Sequence, residues 1–100
     1  MKNPLVSVVM PVFNGEAYLK KAIESILHQT FTNFEFIIIN DGSTDRTEDI
    51  ILSYKDKRIK YIKNKENLKI VRALNKGVAI SKGAYIARMD ADDVSMPNRF

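Results

Sequence analysis

Two near-continuous apolar runs, "LVSVVM" at residues 5 to 10 and "FEFIII" at residues 34 to 39, constrain this chain more than any other feature. A strand with one wet face alternates polar and apolar residues. A β-branched run with few polar breaks is buried on both faces and needs a layer above and below it. Between the two runs Tyr18, Ala22, Ile23, Ile26 and Leu27 recur at helical spacing, up to about Gln29. A strand, a helix and a second strand joined by short links force parallel pairing, because the helix returns the chain to its starting edge.

The same alternation continues. Pro11 lacks a ladder donor and is expected to end the first strand, and Asn14 and Gly15 then offer a cap and a flexible turn. After "NDGSTD" (residues 40 to 45), Ser43 or Thr44 is expected to cap a second helix. In it Asp45, Glu48 and Asp49 favour the positive amino end, and Thr47, Ile50, Ile51 and Tyr54 form the inward stripe. "RIKYIK" (residues 58 to 63) reads as a third strand. A third helix spans about Leu68 to Ser81, with Leu68, Val71, Leu74 and Val78 on one face and Gly83 as a left-handed terminus. "AYIARM" (residues 84 to 89) is the fourth strand. The expected fold class is therefore α/β, a mostly parallel sheet with helices on both faces. With no linker or repeat in residues 1–100, one domain is expected, and the absence of a helix after the fourth strand suggests a truncated unit.

Charge and composition narrow the function. The net charge of +4 comes from scattered lysines and arginines, with one dense run, "KDKRIKYIKNK" at residues 55 to 65, best read as a solvated loop and strand edge. That run has no interleaved aromatic platform, so no nucleic-acid partner is expected. With no cysteine, disulfides and thiolate metal sites are excluded, and any metal must be held by oxygen or by His28. The opening "MKNPLVSVVMPVF" resembles a signal peptide but has no small-residue cleavage site. No stretch approaches the roughly 18 to 20 apolar residues of a membrane span.

In a parallel α/β sheet, ligands bind where the loops leave the carboxyl ends of the strands. Three clusters fall there: "PVFN" (residues 11 to 14), "NDGS" (residues 40 to 43) and "DADD" (residues 90 to 93). In an extended segment Asp90 and Asp92 face one way and Asp93 the other. The pair is a seat for Mg²⁺ or Mn²⁺, which relieve carboxylate repulsion through oxygen ligands, and the plain alternative is a solvated acidic turn. Asp41 is either a turn residue or an acceptor for a base or ribose. Phe13 either stacks on a base or packs in the core. Glu16 complements the helix dipole or touches ligand. His28 is a surface residue before it is a catalyst. Lys69 and Arg72, at the start of the third helix, lie on its surface or approach a diphosphate.

The segments "VSVVMPVFNGEAYLKKAIESILHQTFTNFEFIIINDGSTDRT" and "NKGVAISKGAYIARMDADDVSMPNRF" closely resemble the amino-terminal half of the family 2 glycosyltransferases, which have the Rossmann-like GT-A fold. The likeness covers nearly the whole chain through three motifs in order. It implies transfer of a sugar from a nucleoside diphosphate donor, usually a UDP-sugar, to an acceptor hydroxyl on a glycan or lipid-linked acceptor, with inversion. It also implies that the loop from Pro11 to Asn14 holds the base, with Phe13 near its face, and that Asp41 pairs with uracil. Asp90 and Asp92 match the family's DxD, which places ribose and the Mn²⁺ or Mg²⁺ on the diphosphate, Asp92 being the direct ligand. The family's general base lies further along, beyond residue 100, so these residues are expected to bind donor and metal without efficient transfer. Two departures stand out: Lys69 where many relatives carry glycine, and Phe13 where tyrosine is commoner. The expected location is cytoplasmic, with the inner face of the membrane as the alternative for the full-length protein. A non-catalytic nucleotide-binding or scaffold module is the competing class.

Overall fold

The computed structural model describes residues 4–30, 32–66 and 69–89. Seven elements alternate along it: β1 (Val6–Val12), α1 (Leu19–Leu27), β2 (Phe34–Asp41), α2 (Thr47–Leu52), β3 (Ile59–Asn64), α3 (Lys69–Ile80) and β4 (Tyr85–Arg88). The strands form one sheet in the order β3-β2-β1-β4. Every pairing is parallel, with Val6 opposite both Phe34 and Tyr85, and Phe36 opposite Ile59. The chain thus builds outward from β1 through β2 to β3 and then crosses back to the other side of β1. Such a reversal opens a crevice at the carboxyl ends of the strands.

Alternation along the strands sorts the core into two layers. Val8, Met10 and Val12 of β1, with Phe34, Phe36 and Ile38 of β2, pack against Leu19, Ala22, Ile23 and Ile26 of α1 and Ile51 of α2. The opposite face carries Val9, Ile37 and Ile39. There α3 lies close: a Cβ on Gly77 would come within 2.5 Å of both Ile39 Cδ1 and Val9 Cγ1. All eight residues of β2 are buried, as the sequence of a central strand requires. Each fully buried Val, Ile or Phe in these layers contributes about 1.5–3 kcal/mol.

Four local expectations need correction. Pro11 does not end β1, which keeps its register with β2 through Pro11 opposite Ile39 and Val12 opposite Asn40. The Val9 carbonyl accepts from the Met89 amide at 3.0 Å, so Val9 and, two residues on, Pro11 turn their backbone groups toward β4. The described β4 ladder stops at Val9 opposite Arg88, so the missing Pro11 amide interrupts no bond on the β2 side. Asn14 does not cap α1, whose amino end is at Tyr18 without a side-chain bond. Neither Ser43 nor Thr44 caps α2, because that helix begins later; Asp45 Oδ1 instead accepts from the Thr47 amide at 2.9 Å. Gly83 has no positive φ, and the positive-φ glycine is Gly42, at 77°. Gly83 is required by close approach, since a Cβ there would lie 2.5 Å from the Ser7 nitrogen. Of the stripe expected on α3, Val78 is 39% exposed, while Leu68 and the side chains of Val71 and Leu74 lie outside the described residues.

Candidate functional site

The exits of β1 and β2 are sewn together. Asn14 stands at φ 51°, a conformation that asparagine tolerates better than most residues. From there its amide donates to Ser43 Oγ at 2.9 Å and its Oδ1 accepts from the Thr44 amide at 2.8 Å. The Gly15 amide donates to Thr47 Oγ1 at 2.9 Å and the Glu16 amide to Asp45 Oδ2 at 3.2 Å. Burial acts to raise the Asp45 pKa, but the Thr47 hydroxyl, the Thr47 amide and the Glu16 amide outweigh it and hold the carboxyl below its usual range.

Asp41 closes β2 and is 4% exposed. In the register it faces Asn64, the last residue of β3, whose Nδ2 donates to Asp41 Oδ1 at 2.9 Å. Asn64 Oδ1 in turn accepts from Lys76 Nζ of α3 at 2.5 Å. On the other face of the sheet Asn40 Nδ2 donates to the Tyr61 hydroxyl at 3.0 Å, and that hydroxyl donates to Glu48 Oε2 at 2.7 Å. Lys63 Nζ completes this group, 2.9 Å from Glu48 Oε2. The Tyr61 pKa is pushed up to about 12, first by burial and then by its bond to Glu48. The Glu48 pKa is lowered by that same bond and by Lys63.

Of the expected site residues, the structure gathers Pro11, Phe13, Asn14, Glu16 and Asp41 at one edge. Pro11 is buried, Phe13 is 45% exposed, and Asn14 and Glu16 are exposed. Glu16 borders a shallow depression of about 360 Å³ with Arg46, Asp49, Ile50 and Ser53. A second depression, about 460 Å³, is lined by Lys63, Asn64, Lys65, Glu66 and Lys76 and so adjoins the Asp41 network. His28 is exposed at the carboxyl end of α1, and Arg72 is exposed on α3. Lys69 is the first residue of α3. Asp90, Asp92 and Asp93 lie outside the described residues. Among the described residues no group of three metal-ligating side chains occurs. No described helix is long and apolar enough to cross a membrane.

Asn64 and Lys76 were not among the sequence candidates. Asparagine at the end of a strand reads as ordinary turn chemistry, and one lysine among many on a basic chain carries no signal. Only the β2–β3 register and the packing of α3 bring them to Asp41.

Solved structures share this fold. The chain superimposes on S. aureus TarS 1-349 in complex with UDP with a TM-score of 0.87 and 27% identity, over 93% of this chain and 29% of that one. TarS 1-349 in complex with UDP-GlcNAc gives a TM-score of 0.83, also at 27% identity, over 87% of this chain and 26% of that one. A Pyrobaculum calidifontis mannosyltransferase solved with GDP-Man and Mn²⁺ has the same fold, with a TM-score of 0.82 at 21% identity, covering 92% of this chain and 28% of that one. The class is thus the GT-A nucleotide-diphospho-sugar transferase fold.

The family follows from the sequence match. The family model described as "Glycosyl transferase family 2" covers residues 7–100, and the chain belongs to that family. An uncharacterized glycosyltransferase of Haemophilus influenzae is 50% identical over 97 residues, which is 95% of this chain and 30% of that protein. One from Methanocaldococcus jannaschii is 50% identical over 103 residues, 99% of this chain and 36% of that protein. The chain therefore spans about a third of the length of these relatives.

Proposed function

We propose that these residues form the donor-binding part of an inverting glycosyltransferase that takes a nucleoside diphosphate sugar, in first place a UDP-sugar, and passes the sugar to a hydroxyl of a glycan or lipid-linked acceptor. One observation carries this: a nearly buried carboxylate, Asp41, fixed by Asn64 at the carboxyl end of a central strand, beside two sewn exit loops. A carboxylate held there accepts from the ring N–H of uracil, and a base without that N–H forgoes this charge-assisted bond, at about 1–3 kcal/mol. Phe13, half out of the surface in the neighbouring loop, offers its ring to the base.

Asp90 and Asp92, reached directly after β4, are the proposed metal residues, Asp92 foremost and Asp90 also serving the ribose. An all-oxygen set of carboxylates suits Mn²⁺ or Mg²⁺. The ion, when bound, neutralises charge on the departing nucleoside diphosphate. The acceptor proton is removed by a carboxylate outside these residues. Cytoplasmic action, at the inner face of a membrane for the full-length protein, fits the absence of disulfide chemistry.

Calorimetric titration with UDP, with and without Mn²⁺, tests the proposal. Tight binding strengthened by Mn²⁺, with the gain lost in Asp92→Ala and the base preference lost in Asp41→Asn, is the expected result. Equal titrations of wild type and both variants would overturn it.

A further inference from the structure

We propose that Asn64 is a positioning residue for Asp41, and that Lys76 sets the direction in which Asn64 faces. The inference rests on the reading of Asp41 as a base acceptor and adds to it how that acceptor is held. Three elements contribute one residue each: β2 the carboxylate, β3 the amide, α3 the ammonium.

The chemistry of the chain allows one arrangement. Asn64 is 4% exposed, so both ends of its amide require partners inside the protein. Its Nδ2 donates to Asp41 Oδ1 at 2.9 Å, and its Oδ1 accepts from Lys76 Nζ at 2.5 Å. Turning the amide over would set its oxygen against the carboxylate and its NH₂ against the ammonium, two repulsions in place of two charge-assisted bonds. Lys76 therefore acts at a distance: by holding the Asn64 oxygen it keeps an N–H aimed at Asp41. With one carboxylate oxygen held by that N–H, the rotation of the Asp41 carboxyl is restrained. A planar acceptor held in one orientation reads a planar base edge, whereas a rotating one loses discrimination before it loses affinity.

Lys76 is exposed, so its removal deletes a charge and a hydrogen bond without opening the core. That separates positioning from folding. The test is the ratio of UDP to CDP affinity, by calorimetry on the full chain, for wild type, Asp41→Asn, Asn64→Ala, Lys76→Met and Lys76→Arg, with urea unfolding of each.

The expected result is a UDP preference reduced about tenfold in Asn64→Ala, the scale of one hydrogen bond to a charged group. A reduction of about threefold is expected in Lys76→Met, with the preference retained in Lys76→Arg. If Asn64→Ala does not fold, Lys76→Met against Lys76→Arg decides the matter. A wild-type ratio in Asn64→Ala or Lys76→Met alongside a lost ratio in Asp41→Asn overturns the positioning role and leaves the base reading standing. Equal weakening of UDP and CDP marks a purely structural role and overturns it too. An unchanged ratio in Asp41→Asn removes the base reading itself.

Discussion

Asn14 reaches from the exit of β1 to Thr44 in the exit of β2, its Oδ1 accepting the Thr44 amide at 2.8 Å while its own backbone stands at φ 51°. Conformation and bond call for different properties of one residue. Glycine meets the first and lacks the second; alanine lacks both.

Asn14→Ala is accordingly expected to lower stability by about 1–2 kcal/mol, and Asn14→Gly by less than about 1 kcal/mol. Urea midpoints at unchanged slope measure both. Equal losses would show that the left-handed backbone contributes nothing.

At the opposite end of the sheet Glu35 Oε2 accepts from Ser7 Oγ and from the Lys82 amide, each at 2.5 Å. Lys60 Nζ stands 3.2 Å from Oε1, an ion-pair contact, although among the described residues Oε1 has no partner in hydrogen-bond geometry. Burial pushes the Glu35 pKa up, but Ser7, the Lys82 amide and Lys60 together bring it below 4.5. The unfolded chain therefore binds the proton more readily than the folded one. The contribution of Glu35 is fully present above about pH 4.5 and is lost as pH falls through the lower folded value. Glu35→Gln should flatten the acid limb of the stability profile and cost about 1–3 kcal/mol near neutrality. Because this network lies at the amino ends of β1 and β2, UDP affinity should not change. An acid limb identical to wild type would refute the assignment.

Two glycines make different contacts and should respond differently. A Cβ on Gly83 meets backbone, the Ser7 nitrogen at 2.5 Å and the Val6 carbonyl carbon at 2.7 Å. On Gly77 it meets side-chain ends, Ile39 Cδ1 and Val9 Cγ1, each at 2.5 Å. Gly83→Ala is expected to cost about 3 kcal/mol and Gly77→Ala about 2 kcal/mol, since Ile39 can turn aside and alanine favours the helix while β-branched Val9 is stiff at χ1. Thermal or urea unfolding checks the ranking, and a costlier Gly77→Ala would reverse it.

Phe13 separates ligand stacking from core packing. It is 45% exposed, so Phe13→Ala should change stability by less than about 1 kcal/mol. If its ring lies on the base, the same change weakens UDP binding by about 1–3 kcal/mol, roughly 5- to 150-fold. Phe13→Tyr should bind as wild type. Unaltered affinity in Phe13→Ala would remove Phe13 from the site.

Much of this fold was legible in the chain because strand and helix periods are local. The runs at residues 34 to 39 and 5 to 10 announced buried strands, and Ala22, Ile23 and Ile26 announced the inner face of α1. The errors came where a local rule met a tertiary neighbour. A missing amide makes Pro11 a stop by local rules, but the missing donor faces the side where the described β4 ladder has ended. Backbone torsion is the local reason for a glycine after a helix, but the reason at Gly83 is Ser7, distant in sequence.

The sequence by itself determined the parallel α/β class, the edge to which the strand-exit loops run, and the family motifs, because all three depend on the order and spacing of residues along one chain. Tertiary structure decided which polar groups meet. The register of β2 against β3 and the seating of α3 on Gly77 join Asp41, Asn64 and Lys76, three residues that no local pattern connects. Hydrogen bonds act over about 3 Å in space and are indifferent to separation along the chain, so a site built from them becomes visible only once the chain has folded.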